Sequence, residues 1–187
     1  MICVLAVFSL AFLTEGSADD LNRSQLATGK PDHELSGIDV HATGYLLFAT
    51  DISQVTKRLG PPTSTEIQKG SFASDKSGES RTYVWAKNGI RIQARTDVSK
   101  NAESGVYSVD AWGNGSENGL GATGRGLALG ATFQRQKAIY GNRFYASSVE
   151  KGQIKSVLIQ WGDGTQLFID YGPDQRIRHM QLMAAVE

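Results

Sequence analysis

The chain has 187 residues, of which 40% are hydrophobic and 20% are charged. This composition is close to the average of globular domains, so it excludes a chain that is disordered throughout. Its 19 Lys and Arg residues are balanced by 19 Asp and Glu residues, which argues against a nucleic-acid partner, because such proteins usually carry a basic excess. The length fits one compact domain or two small ones.

Residues 1–18 have the pattern of a secretory signal peptide. An apolar run from Ile2 to Leu13 is interrupted only by Ser9. It is shorter than the ~20 residues that span a bilayer, but it suits the apolar core of a signal, and small residues follow where cleavage occurs. No Lys or Arg precedes the run, so an uncleaved anchor or a misassigned start stays open. Cleavage would leave no integral membrane segment in a protein that is periplasmic or secreted.

The single cysteine of the chain, Cys3, lies inside this predicted signal. The mature chain would therefore contain no disulfide, no thiol nucleophile and no cysteine-ligated zinc. Eukaryotic extracellular domains of this kind commonly depend on disulfides. The pattern therefore favours a bacterial source and a core that holds the fold unaided.

A polar segment, a short strand and a helix come next along the chain. Residues 19–36 are polar with little periodicity and are predicted to form a flexible lead, and a strand is predicted at Gly37 to His41. Apolar residues from Ile52 to Leu59 recur on one face of a helix. The helix is predicted to end at Gly60-Pro61-Pro62, because proline lacks the amide hydrogen that would continue it.

A β-hairpin and a further strand follow the helix. The polar stretch from Lys69 to Ser80 is predicted to be a loop. Thr82 to Ala86 and Ile90 to Ala94 have strand patterns, and Lys87-Asn88-Gly89 between them contains the Asn-Gly signal of a tight turn. Gly105 to Trp112 is predicted to close the unit as a further strand.

The second half of the chain repeats this order. A helical pattern from Phe133 to Tyr140 is stopped by Gly141. The strand patterns Ser156 to Trp161 and Thr165 to Tyr171 flank an Asp-Gly turn, and Arg176 to Met183 is the closing strand.

This repetition predicts an α+β fold in which one unit is used twice, namely a helix packed on a three- to four-stranded antiparallel β-meander. Residues 37–112 form the first repeat, residues 113–119 a glycine-rich linker, and residues 120–187 the second repeat. A unit of ~70 residues has a thin core, so the two sheets are expected to share one. Chance similarity of two helix–hairpin segments is the alternative.

Motifs for catalysis or cofactor binding are poorly supported. Gly119 to Gly124 matches the dinucleotide pattern G-x-G-x-x-G, but no helix begins within it. Ser148 to Lys151 matches the S-x-x-K motif of penicillin-recognising enzymes, but the companion motifs are missing and the segment is predicted to be a loop. His33 lies in the predicted lead, and His41 and His179 lie on different predicted strands far apart in sequence, so the histidines predict no metal site. We therefore predict no enzymatic activity, catalytic residue, cofactor or metal.

The first hairpin predicts a surface for a protein partner. Ile90 and Ile92 face the core by alternation, so the polar residues between and after them face outward. Trp85 and Trp161 occupy matching positions of the two repeats, which favours a place in the core. Arginine and aromatic residues commonly anchor protein interfaces. The candidate binding residues are Arg91, Gln93, Arg95 and Trp112.

The helix that closes in Leu59-Gly60-Pro61-Pro62, followed by the aromatic strand and hairpin from Tyr83 to Ile92, resembles a known family. It is similar to the small envelope α+β domain of bacterial outer-membrane-assembly lipoproteins of the SmpA/OmlA type. In tandem, it resembles the β-lactamase-inhibitor protein. The resemblance implies a sheet that binds other proteins and no catalysis.

These observations lead to one function hypothesis and two alternatives. The hypothesis is a secreted or periplasmic, non-enzymatic module that binds another envelope or extracellular protein through its sheet. The first alternative is an inhibitor or immunity protein against an exported toxin or hydrolase. The second is an enzyme whose catalytic site is not visible in sequence motifs.

Overall fold

The computed structural model describes residues 26–40, 52–69, 78–97, 102–113 and 120–184. The predicted signal, residues 114–119 of the predicted linker and His41 lie outside these ranges. The helices are α1 (Ile52–Leu59) and α2 (Phe133–Tyr140). The strands are β1 (Glu34–Leu35), β2 (Ile38–Asp39), β3 (Ser64–Lys69), β4 (Gly78–Trp85), β5 (Ile90–Asp97), β6 (Ala102–Trp112), β7 (Tyr145–Glu150), β8 (Gln153–Gln160), β9 (Gln166–Tyr171) and β10 (Ile177–Met183).

Eight of these strands form one antiparallel sheet, in the order β3-β4-β5-β6-β10-β9-β8-β7. Strands β1 and β2 pair in a separate two-stranded sheet. The predicted α+β tandem repeat, with a helix packed on its own meander in each copy, is therefore wrong. The fold is mostly β, and the described residues contain only two short α-helices, of eight residues each.

The sheet is continuous because β6 and β10 pair with each other. Val109 opposes Leu182, and Ala111 opposes Met180; all four side chains are fully buried. Burial of apolar surface contributes about 25 cal/mol per Å². Separate meanders would leave two more strand edges unpaired, so joining them both extends the core and removes those edges.

One face of the large sheet, which we call the inner face, carries the core. Its buried side chains alternate with more polar ones along the interior strands, as expected for a sheet with one covered face. They form a single apolar cluster with buried residues of β1, β2 and both helices. The inner-face residues of this cluster include Tyr83, Trp85, Ile90, Ile92, Val109, Val157, Ile159, Leu167, Ile169, Met180 and Leu182.

Both helices lie on the inner face and have the extents that the sequence predicts. Trp85 Nε1 donates a hydrogen bond of 2.8 Å to the carbonyl oxygen of Gly60, the residue after α1. The ring of Tyr140 on α2 contacts the ring of Trp161 edge-on, with centroids 5.7 Å apart. Neither helix is long and apolar enough to cross a membrane. Because both described helices lie on the inner face, the opposite side of the sheet, which we call the outer face, is the side away from them.

Residues 26–36 belong to the segment predicted as a flexible lead, but they are packed into the fold. Leu35 is fully buried. The buried carboxylate of Asp32 accepts hydrogen bonds from the hydroxyl of Tyr140, at 2.7 Å, and from the backbone N–H of Arg125, at 3.0 Å. These contacts tie the segment to α2 and to the glycine-rich stretch before it, so these residues do not form a loose lead.

The two edge strands, β3 and β7, are not predicted by the sequence pattern. Ser148 lies on β7 rather than in the predicted loop, and β4 begins at Gly78, within the stretch predicted as another loop. Side chains on β3 and β7 are largely exposed on both faces. Such strands lack the alternation of apolar and polar residues by which a half-buried strand is recognised.

Candidate binding face

The candidate site lies on the outer face, where side chains alternate with those of the core. Arg91 stands between Ile90 and Ile92, which are fully buried on the inner face. Arg91 opposes Asp110 on β6, and Asp110 in turn opposes Gln181 on β10. Directly opposed residues of antiparallel strands project from the same face of the sheet. Side chains from three neighbouring strands therefore meet at this place.

Arg91 and Asp110 form a two-pronged ion pair. Arg91 Nε lies 3.1 Å from Asp110 Oδ2, and Arg91 Nη2 lies 2.7 Å from Asp110 Oδ1. The side chain of Asp110 has no exposed surface, whereas that of Arg91 is 44% exposed. The pair therefore anchors one edge of the guanidinium on a buried carboxylate and leaves its other edge toward solvent.

His179 bridges two carboxylates on the strands beside its own. Its Nε2 lies 3.2 Å from Asp110 Oδ1, and its Nδ1 lies 2.9 Å from Asp170 Oδ2. The hydrogen bond with Asp110 is the main cause of a raised pKa at His179; the bond with Asp170 acts in the same direction, and burial opposes both. We call the four residues Arg91, Asp110, His179 and Asp170 the charge chain.

The charge of Asp110 is held by its two cationic neighbours. Burial alone would raise the pKa of this carboxyl, but the hydrogen bonds from His179 and Arg91 outweigh burial and bring the pKa below its ordinary value. Asp110 is thus ionised although its side chain is fully covered. A buried charge is costly to leave unpaired. Asp110 therefore fixes the positions of Arg91 and His179 relative to each other.

The charge chain is poorly suited to acid–base catalysis. A neutral imidazole has one N–H and one acceptor nitrogen, so two carboxylate neighbours favour the imidazolium, which donates from both. An imidazolium has no lone pair with which to accept a proton from a nucleophile. No group of three or more His, Cys, Asp and Glu residues in the described ranges is arranged to hold a metal ion.

Aromatic side chains lie beside the charge chain. Trp112, at the end of β6, opposes His179 and is 36% exposed. Its backbone N–H donates to the carbonyl of Gly89 at 2.9 Å, and Gly89 has a φ of +61°. The ring of Phe168 lies on the other side, with its centroid 6.4 Å from that of His179. The outer face therefore combines fixed charges with apolar surface.

The structure brings together two of the four residues predicted to bind a partner. Arg91 belongs to the charge chain, and Trp112 is next to it. Gln93 is half-buried on the same face, opposite Ser108. Arg95 lies two residues further along β5, and its side chain is outside the described part of the structure.

Sequence reasoning missed the other members of the charge chain. Asp110 shares its face with Trp112 by alternation, a signal that was present in the predicted strand. The roles of His179 and Asp170 depend on the register between β6, β10 and β9. The pairing of β6 with β10 joins residues far apart in sequence, and no local pattern specifies it, whereas Asp170 and His179 lie on consecutive strands.

A scan against protein-family models finds no match to this chain, and searches of curated proteins and of solved structures find none either.

Proposed function

We propose that this protein is an exported, non-enzymatic binding module that docks a partner protein on the outer face of its sheet. The observation that carries the proposal is the charge chain beside the exposed ring of Trp112. Trp and Arg are enriched among the residues that dominate binding energy in protein interfaces. The predicted signal peptide at residues 1–18, with its apolar run from Ile2 to Leu13, supports export to the periplasm or the exterior.

The face is organised before any partner arrives. Asp110 holds Arg91 through Nε and Nη2, which leaves Nη1 outside that pair. A side chain fixed in this way loses less conformational freedom on binding than a free arginine would, and ordering a flexible side chain costs about 0.5–1.5 kcal/mol. The preorganised guanidinium therefore favours a partner that places an acceptor at its exposed edge.

Charge and apolar surface together define the chemistry of the partner. A carboxylate suits the exposed edge of Arg91, because arginine binds planar acceptors through paired donors. An apolar side chain suits the exposed ring of Trp112. We therefore expect a protein surface that presents an acidic residue next to an apolar one.

Affinity capture followed by titration tests the proposal. The immobilised chain is exposed to envelope and secreted fractions, the retained protein is identified by mass spectrometry, and the purified pair is titrated by calorimetry. We expect Trp112→Ala to raise the Kd at least 10-fold, which corresponds to about 1.4 kcal/mol. Val149→Ala, at a valine 58% exposed on β7, is the matched control and should leave the Kd unchanged.

Two further outcomes decide between the alternatives. A partner whose hydrolytic or toxic activity falls on binding would assign the inhibitor or immunity role. A retained protein that binds Trp112→Ala and Arg91→Ala as tightly as the unaltered chain would refute the outer face as the docking surface.

A further inference from the structure

The two edges of the large sheet differ in how well they are protected against pairing. Strand β7 has two register shifts against β8, around Ser148. Strand β3 pairs with β4 from Ser64 to Lys69 without a shift. Bulges are a common means of blocking an edge, whereas a regular edge strand offers a row of backbone donors and acceptors to another strand. Of the two edges, the one at β3 therefore has the more regular backbone for pairing with an additional strand.

The side chains of β3 add an apolar contact at this edge. Ile67 opposes Arg81, and Thr65 opposes Tyr83, which is buried on the inner face. Alternation places Ile67 on the inner-face side of the sheet, where it is 52% exposed. An exposed isoleucine in the middle of a regular edge strand is a feature that an isolated sheet would be expected to avoid.

We propose that β3 pairs antiparallel with β3 of a second copy of this chain, across a two-fold axis that passes through the Ile67 pair. The two eight-stranded sheets then become one continuous sheet, with both sets of helices on the same side. This register places Ile67 opposite Ile67, Glu66 opposite Gln68 and Thr65 opposite Lys69. It covers the exposed isoleucine with its own symmetry mate and places no like charges directly opposite each other.

Other pairings of this edge are less favourable. A two-fold axis through Glu66 would set two carboxylates directly opposite each other, which is destabilising. Pairing of β3 with β7 of another copy would use two different surfaces, and such a head-to-tail contact leads to open chains unless it closes into a ring. The shifts in β7 also disrupt the regular backbone pattern that β3 would need.

The dimer is expected to dissociate on dilution. A pair of six-residue strands is short compared with stable interfaces, which bury about 1,200–2,000 Å². Sedimentation velocity of the full chain over a wide concentration range should show a monomer–dimer equilibrium. Ile67→Lys should leave only monomer at every concentration, because it places two cations opposite each other. The matched variant Val149→Lys on β7 should dimerise as the unaltered chain does.

Cysteine cross-linking tests the register independently of dimer stability. In a Cys3→Ser background, Ile67→Cys should give a disulfide-linked dimer under mild oxidation, since opposed Cβ atoms lie about 4.5–5.5 Å apart. Val149→Cys should stay monomeric. A mixed disulfide between the two variants, or a chain that is monomeric at all concentrations and does not cross-link through Ile67→Cys, would overturn the proposal. Neither result affects the outer-face proposal, which Trp112→Ala tests.

Discussion

His179 and Asp110 lie on neighbouring strands from distant parts of the chain and share a hydrogen bond of 3.2 Å between Nε2 and Oδ1. The bond crosses the seam between β6 and β10, where the first four strands of the large sheet meet the last four. Because Asp110 also holds Arg91, this one carboxylate connects the charges of three strands. The stability of the seam and the shape of the candidate binding face therefore depend on the same group.

The stability of the protein should depend on pH through this pair. The pKa of His179 is raised in the folded state, so its contribution is complete below the unfolded value of about 6.5 and is lost as pH rises through the folded pKa. The pKa of Asp110 is lowered, so its contribution is complete above about pH 4 and is lost as pH falls through its folded pKa. The cluster should thus contribute most between about pH 4 and 6.5.

Urea unfolding from pH 3 to pH 9 measures this dependence. His179→Gln should remove the part of the alkaline decline that comes from this site. An unaltered chain whose free energy of unfolding follows the same curve as that of His179→Gln would show that the imidazole does not gain stability from its two carboxylates.

Removal of the buried charge should weaken the seam. Asp110→Asn leaves Arg91 and His179 without their shared anion, and we expect a loss of about 1–3 kcal/mol in the free energy of unfolding. Asp170→Asn is the matched control. Asp170 is 41% exposed, and within the charge chain it pairs only with His179. Chemical denaturation of both variants measures the two losses in the free energy of unfolding. An equal or larger loss for Asp170→Asn would contradict the prediction that Asp110 is the more important carboxylate.

Two of the buried tyrosines, Tyr140 and Tyr171, should respond differently to the loss of their hydroxyl groups. Tyr140 donates to Asp32 at 2.7 Å, whereas the buried hydroxyl of Tyr171 has no partner within the described residues. Tyr140→Phe should therefore lower the free energy of unfolding by about 1–2 kcal/mol. Tyr171→Phe should be neutral or stabilising, because it removes a desolvated hydroxyl that makes no hydrogen bond within the described residues.

Thermal and urea denaturation of the two variants at one pH is sufficient for this test. The pKa of both phenols is raised by burial, so neither ionises under ordinary conditions. Should Tyr171→Phe prove the more damaging change, the assigned hydrogen bonding of these tyrosines would be incorrect.

Gly89 should tolerate a side chain less well than Gly152 does. Both have positive φ values, +61° and +76°, so alanine at either position costs about 1–2 kcal/mol of backbone strain. At Gly89 the added Cβ would also collide with the carbonyl oxygen of Trp112, whereas at Gly152 it would meet open space. Gly89→Ala should therefore lose clearly more stability than Gly152→Ala in the same denaturation assay, and equal losses would count against the close approach.

Local features of this fold are predictable from the sequence, and its long-range pairing is not. The end of α1 is specified by Gly60 and two prolines, and the alternation of Ile90 and Ile92 identifies the inner face of β5. These signals act within a few residues. The pairing of Val109 with Leu182 joins distant segments that have no local signal for each other, and for this reason the predicted tandem of helix-on-meander repeats is wrong.

The candidate site shows the same limit. Alternation on β5 placed Arg91 on an outward face, but the anion that fixes it comes from β6 and the imidazole from β10. The edge strand β3, with the sequence Ser64 to Lys69, contains one strongly apolar residue, Ile67. The strand is identified only by its pairing with β4, because its own sequence does not alternate between apolar and polar residues.

The last strand in chain order lies in the interior of the sheet. β10 fills the gap between β6 and β9, and its side chains Ile177, Met180 and Leu182 are fully buried. The hydrophobic surface of a nascent chain therefore stays open until this strand has emerged from the ribosome. Until β10 is inserted, this open apolar surface can associate with other chains, so completion of the large sheet depends on the part of the described chain that is made last.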